Sequence, residues 1–420
     1  MDKKMVPEVR FKGFTDAWEL RKLLDLANMN ARIGWQNLRT SEFLDNGDYM
    51  LITGTDFKDG EIDYSNIHYV KKNRFDQDKK IQISNGSILI TKDGTLGKVA
   101  YVTDLPMPAT LNAGVFNVRI KNENEVNDKY LFHYLKAPFL LKFSSEQSTG
   151  GTIKHLNQNV LVKFPVPLPA LAEQNKIAEF LTNFDKLITL QQRQLDLYKK
   201  LKKGLLQKLF SKDGEKVPEV RFADFHDDWE QCKLGEISNI TKLAGFEFTK
   251  YVHYSNKGKI IALRGLNVKN GKLDLSDVKY IDNSNFAKLK RSKLYKNDML
   301  FTYVGTLGES ALVPQNDSFY LAPNVALIRF NEQYIPYFFR EYMSTPSFYL
   351  KNVLPLSSSS SQPALSMKSI RTFIIKFPNE LEQKKLSIFF KNIENVITLQ
   401  QYKINKLEEL KKYFLQKLFI

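Results

Sequence analysis

Two copies of one sequence run through this chain of 420 residues. Val6-Pro7-Glu8-Val9-Arg10-Phe11 returns as Val217-Pro218-Glu219-Val220-Arg221-Phe222. Phe14 and Trp18 return as Phe225 and Trp229, Lys22-Leu23 as Lys233-Leu234, and Gly94-Thr95-Leu96-Gly97 as Gly305-Thr306-Leu307-Gly308, all at an offset of 211. Lys163-Phe164-Pro165 is answered by Lys376-Phe377-Pro378 at 213, and Glu173-Gln174 by Glu382-Gln383 at 209. Ile188-Thr189-Leu190-Gln191-Gln192 and Leu206-Gln207-Lys208-Leu209-Phe210 recur at Ile397 to Gln401 and Leu415 to Phe419, again at 209. Offsets that drift by only four residues describe one structural unit built twice with small loop changes. Between the shared blocks the copies diverge: residues 28–85 and 238–296 share little beyond spacing. A common frame with two unlike variable parts is the plan of a device with two recognition surfaces, although a duplication that drifted leaves the same trace.

After Pro169 the pattern turns helical. Ile177, Leu181, Phe184, Ile188, Gln191, Leu195 and Tyr198 follow steps of four and three, with Leu205 and Leu209 beyond them. The second copy repeats the stripe as Leu386, Phe390, Ile393, Ile397, Gln400, Ile404, Leu407, Phe414 and Leu418. Such steps are the coiled-coil pattern. A helix over 170–210 is about 60 Å long at ~1.5 Å per residue, too long to hide its stripe in one small domain. The economical partner is the equivalent helix over 380–420. Gln191 and Gln400 interrupt the two stripes at the same place, where a buried amide would fix register. Gly204 stands where the other copy has Tyr413, so a kink or fraying is expected there.

Each helix follows about 150 residues of mixed pattern. Strands are expected at 86–90 and 99–102 around Gly94–Gly97, at 299–303 and 311–313 around Gly305–Gly308, and at 114–120 and 324–330. Residues 127–143 and 335–349 read as aromatic-rich helices. The fold expected is two α/β (α+β) domains in tandem, 1–168 and 213–379, with long helices over 169–212 and 380–420 pairing with each other as a coiled coil.

Lys and Arg number 62 against 46 Asp and Glu, a net charge of +16, which calls for a polyanionic partner: nucleic acid first, an anionic membrane surface second. Charge excess also serves solubility alone. A hydrophobic share of 43% with 26% charged residues is that of a folded domain protein. The single cysteine, Cys232, excludes an internal disulfide framework and fits a reducing cytoplasm; with only five histidines it leaves no ligand set for a zinc finger. No apolar run reaches the roughly 20 residues that span a bilayer, so neither secretion nor membrane insertion is expected.

Catalytic constellations are missing from the pattern. There is no phosphate-cradling G-x-G-x-x-G or G-x-x-x-x-G-K-[ST] loop and no Asn/Asp-Pro-Pro-aromatic tetrad. Glu382-Gln383-Lys384 has the acid-x-Lys spacing of a metal-dependent nuclease, but Glu173-Gln174-Asn175 lacks the lysine, so polarity of a helix surface explains both better. No catalytic residue and no metal ligand is assigned. Binding features are present. Glycine turns let a backbone approach phosphate closely, which makes Lys92, Gly94, Thr95, Gly97 and Lys98 candidates, with Thr302, Gly305, Thr306 and Gly308 in the second copy. A tight hairpin would use the same glycines. Lys290, Arg291 and Lys293 belong to a basic run, with Lys79 and Lys80 opposite them in the first copy; the run suits phosphate tracking or a solvated face. The loops at 148–158 and 357–368 add Thr149, Gly150, Lys154, Asn157, Gln158, Gln362 and Lys368, several of them types that read base edges.

In order and in duplicate, these blocks resemble the specificity subunit of type I restriction–modification systems along essentially the whole chain. The resemblance rests on the doubled Trp-x3-Lys-Leu (Trp18 to Leu23, Trp229 to Leu234), Gly-Thr-Leu-Gly after a strand, Phe-Pro then Glu-Gln before each long helix, and the Leu-Gln-Lys-Leu-Phe ends. It implies two target recognition domains, each reading one half of a bipartite site in double-stranded DNA, with the helices paired as an antiparallel coiled coil of pseudo-two-fold symmetry, the ruler that sets the unread spacer. It implies a non-catalytic chain without cofactor. Two modification subunits that use S-adenosylmethionine to methylate adenine would be its partners, with restriction subunits that use ATP and Mg for translocation and cleavage. Without the resemblance, the same features would also suit a coiled-coil adaptor with two variable ligand-binding domains.

Overall fold

The computed structural model describes residues 6–94, 96–146, 155–212, 214–358 and 362–420. The chain divides into two compact units, residues 1–192 with 402–420 and residues 193–401, so each long helix contributes one stretch to each unit.

In the first unit, Ala27–Ala31, Val115–Ile120, Ile88–Thr91 and Val99–Tyr101 form an antiparallel sheet in that order. A second sheet orders His68–Tyr69, Met50–Ile52, Ala109–Leu111 and Gln82–Ile83, its middle pair parallel. Successive strand residues point to opposite faces. Accordingly Ile88, Ile90, Phe116 and Val118 enter one hydrophobic core, and Leu89, Ala100 and Val115 enter the other. A strand covered on both faces reads as a continuous apolar run, which is why the segments around the glycine turns show no alternation. The second unit repeats the device: Met299, Phe301, Ala326 and Ile328 face one core, and Leu300, Val325 and Leu327 the other.

The helix expected over 127–143 is two, Asp128–Lys136 and Phe139–Glu146. Ala137 precedes Pro138 and is extended (φ −70, ψ 159), as a residue before proline prefers. Thr345 before Pro346 (φ −72, ψ 143) separates Pro336–Met343 from Pro346–Phe348 in the same way. The Lys-Phe-Pro triplets are not structural equivalents. Leu23 donates to the Phe164 carbonyl at 2.9 Å and Leu234 to that of Phe373 at 2.8 Å, so Phe164 matches Phe373 at the helix offset of 209.

The long helices run Leu171–Leu209 and Glu380–Lys417. The first is helical through Gly204 and does not fray there. One glycine costs about 1 kcal/mol in a helix, and Leu205, Leu206, Leu209 and Phe210 around it pack into the core of the second unit. In the first unit, the Phe414 ring lies 4.9 Å from Phe180 and 5.7 Å from Phe184, Lys411 bonds Asp185, and Leu418 and Phe419 share a core with Ile177 and Leu181. Rising numbers on one helix meet falling numbers on the other, so the segments are antiparallel. In the second unit Gln400 donates to Gln194 at 3.3 Å, Lys202 lies 3.7 Å from Glu394, and Phe210 stacks on Phe390 at 5.6 Å, again antiparallel. Lys202 and Lys411, and Asp185 and Glu394, are each 209 residues apart: the same cross-helix ion pair is built twice.

Glu173-Gln174 and Glu382-Gln383 are not surface polarity. All four side chains are buried. Glu173 accepts from Nε and Nη2 of Arg10 at 2.7 and 2.8 Å, and Glu382 from Nε and Nη2 of Arg221 at 2.9 and 2.7 Å. Gln174 accepts from the Asn127 amide at 2.9 Å and Gln383 from that of Ile335 at 3.1 Å. The pair therefore clasps the leading Val-Arg-Phe segment and the start of a domain helix onto each long helix. A buried carboxylate is sustained by such bidentate pairing.

Glu394 accepts from Arg340 at 2.9 Å and from the Tyr337 hydroxyl at 2.7 Å. Burial acts to raise its carboxyl, but the Arg340 bond and charge, with Lys202, outweigh it and hold the group at about 2. The folded value lies below the unfolded one, so the stabilisation is whole above about pH 4.5 and is lost as pH falls towards 2. The depression corresponds to about 3 kcal/mol. In Glu394→Gln, urea unfolding followed from pH 5 to 2 is expected to lose most of that pH dependence, together with stability at pH 7.

Candidate nucleic-acid interface

The glycine turns close equivalent hairpins. Buried Thr91 accepts at Oγ1 from the Lys98 amide at 3.0 Å, and buried Thr302 from the Glu309 amide at 3.0 Å. Thr302 thus takes part in closing the hairpin. Gly94 and Gly97 both have φ 72, and Gly305 and Gly308 have φ 78 and 87, the left-handed region that favours glycine. A Cβ on Gly94 or Gly305 would meet nothing within 4 Å, so these tips are open to approach. On Gly308 it would meet the Tyr349 ring at 3.0 Å, and on Gly97 it would run into Leu141, so the second glycine of each pair serves packing. Thr95 lies outside the described residues; Thr306 and Lys98 are exposed. Lys92 is half-buried with its ammonium 5.6 Å from the centre of the Phe116 ring.

Each turn meets the loop before the long helix. The Lys92 carbonyl accepts from Leu156 at 3.0 Å and His155 bonds Asp93. In the second unit Gly305 donates to the Pro363 carbonyl at 2.9 Å, and Val304 bridges Ala364. Thr149, Gly150 and Lys154 lie outside the described residues. Asn157 is a cap for the helix Gln158–Leu161, accepting from the Asn159 amide at 2.9 Å, and Gln158 donates to the Met29 carbonyl at 2.8 Å. Both are therefore engaged in holding the loop. Gln362 and Lys368 are exposed.

Lys79-Lys80 and Lys290-Arg291 sit on equivalent single turns, Lys79–Ile81 and Lys290–Ser292, and all four side chains are exposed. Lys293 differs: it pairs with Asp317 at 2.7 Å and lies over the Tyr295 ring at 5.4 Å. Along the long helices, Ile177, Leu181, Leu195, Leu386, Phe390 and Ile404 are buried, and Phe184, Ile188, Gln191, Ile393, Ile397 and Gln400 are half-buried.

A cleft of about 550 Å³ opens in the second unit beside the Gly305–Gly308 turn, lined by Thr302 and Thr306 together with Tyr254, Arg264, Lys269 and Asn270. The last four escaped the reading of the sequence. Their signal lay in the divergent segment: Gly265 stands 211 after Gly54, and Asn267 211 after Asp56. Asp56 accepts from the Thr53 amide at 2.7 Å and Asn267 from that of Arg264 at 3.1 Å, so Arg264 occupies on one frame the place that Thr53 has on the other.

Among the described residues, no group of three or more His, Cys, Asp or Glu is placed to hold a metal ion. Burial and the charges of Glu236 and Glu230 push the Cys232 thiol up to about 11, the opposite of an activated nucleophile. No described helix is long and apolar enough to cross a membrane.

The sequence model for the type I restriction modification DNA specificity domain matches residues 15–198 and, a second time, 226–409. The chain belongs to this family and carries its domain twice. It is 25% identical over 344 residues to the MjaVIII type I restriction enzyme specificity subunit of Methanocaldococcus jannaschii, covering 80% of this chain and 78% of that one. With the EcoKI specificity subunit of Escherichia coli K12 it shares 22% identity over 380 residues, 88% of this chain and 81% of that one. In fold it resembles the crystal structure of the type I restriction-modification S subunit from M. genitalium, with a TM-score of 0.60, 15% identity and 99% of each chain covered.

Proposed function

We propose that this chain is the DNA-recognition subunit of a type I restriction–modification complex and carries no chemistry of its own. What carries the reading is one frame built twice with unlike surfaces, each copy clasped to both long helices by the same contacts. Each domain reads one half of a bipartite target in double-stranded DNA, and the helices set the spacer between the halves. Adenine methylation, with S-adenosylmethionine, belongs to two modification subunits, and ATP- and Mg-dependent cleavage to restriction subunits; the assembly works in the cytoplasm.

The exposed turns Lys79-Lys80 and Lys290-Arg291 supply phosphate contacts at equivalent places, and the glycine tips offer backbone amides to the same kind of ligand. The other candidates of the turns and loops, Lys92, Lys98, Thr306, Gln362 and Lys368, belong to the same proposed interface. Partner docking has a surface too. Leu187, Leu190 and Leu201 on the first long helix are exposed, as are their equivalents Val396, Leu399 and Leu410 on the second, each pair 209 residues apart. All lie one residue before seam positions, along the flank of the helix. An apolar stripe repeated in both helices suits two copies of one partner, the modification subunit.

Inserting seven residues in phase into both long helices should change the spacer of the methylated motif and leave its half-sites unchanged; altered half-sites would refute the division of labour. For DNA binding by the assembled complex, the log–log salt slope should shrink by about 0.9 per phosphate contact in Lys290→Ala/Arg291→Ala. Lys293→Ala should leave it close to wild type. Leu190→Glu with Leu399→Glu should weaken co-purification with the modification subunit while each unit stays folded by circular dichroism.

A further inference from the structure

The cleft of the second unit holds an arginine whose setting suits a base edge better than a phosphate. Arg264 Nη2 donates to the Asp277 carbonyl at 2.8 Å and lies 3.3 Å from its carboxylate. Its Nε is buried and, among the described residues, has no hydrogen-bond partner. The planar fork is therefore oriented through Nη2, and with Nε enclosed it is the Nη1 end, unbonded among the described residues, that is left to meet a ligand. Around it the cleft mixes signs. Lys269 is paired with Asp274 at 3.0 Å, and Glu309 faces the same space, accepting from the Asn270 amide at 2.7 Å. A phosphate brought to Arg264 would meet the Asp277 and Glu309 carboxylates, and like charges at short range in a partly desolvated cleft repel strongly. A neutral base, with acceptors on one side and an amino group on the other, meets no such repulsion. Tyr254, exposed at the rim, offers an aromatic face beside it.

We infer that Arg264 is a specificity-determining residue that reads a guanine through its O6 and N7 acceptors in the half-site of the second domain. The inference rests on the DNA-reading function proposed above and deepens it. The first domain, with Thr53 on the same frame, lacks this reader, so the two half-sites differ in chemistry at the equivalent position.

The test maps methylated adenines genome-wide in a host carrying the full complex, with wild-type chain, Arg264→Lys or Arg264→Ala. Lysine keeps the charge and loses the planar fork. Both variants are expected to retain one half-site and the spacer, while a single guanine in the other half-site loses roughly 10- to 100-fold of its preference over other bases. Unchanged motifs in both variants would overturn the inference. So would uniform loss of methylation at every site from a complex that still assembles on size exclusion, because that marks a phosphate or purely structural role. If the wild-type complex methylates no bipartite motif, it is the DNA-reading function that fails, a different outcome from either.

Discussion

An apolar stripe along a helix of 39 residues is more than one small domain can cover, and the rest of the architecture answers to that fact. Each compact unit takes one stretch of both long helices, running in opposite directions, and closes its core with them. The hydrophobic seam alone would tolerate slippage by a turn. Partly buried ion pairs do not, because a displaced charge is left unpaired at a cost of several kcal/mol. Asp185 with Lys411 in one unit and Glu394 with Lys202 in the other place that constraint at the same position of each repeat. The surroundings are not identical. Where Glu341 adds a second acid beside Lys202 at 3.1 Å, the first unit has His133, which burial and nearby lysines keep well below its ordinary pKa and hence neutral.

Constancy and variation are separated by burial. The repeated blocks are those that hold the frame: the arginine–glutamate clasp, the glutamine that caps a domain helix, and the hairpin threonine that accepts from its partner strand. Strands with both faces in a core allow little exchange of side chains. The diverged segments supply core residues of their own, such as Met50, Ile52 and Ile81 in the first unit and Leu263, Val268 and Leu294 in the second, and between them side chains that reach the surface. The latter are free to differ, as Arg264 differs from Thr53. A specificity module needs this arrangement, since a new contact at the rim then costs nothing in the core.

Several residues were legible as a pattern and misread as a role. Glu173-Gln174 recurs plainly, yet nothing in a linear sequence says that Arg10, far upstream, returns to bury the glutamate. Thr302 and Asn157 carry the chemistry of recognition and also hold the backbone next to them, each accepting from a nearby amide, as short polar side chains do. The Lys-Phe-Pro triplets match as letters and not as positions, since only the strand pairing reveals that Phe164 corresponds to Phe373.

The sequence by itself determined the duplication, the two long helices and the strands around the glycine turns, because periodicity and local turn chemistry are written residue by residue. It also placed the exposed basic turns, as adjacent charges stay on the surface. Tertiary structure alone decided which acids are buried, where each half-helix finds its partner, and that Tyr254, Arg264 and Lys269 converge on one cleft. Those outcomes depend on contacts between segments far apart in the chain, and spacing along the chain carries no record of distance across it.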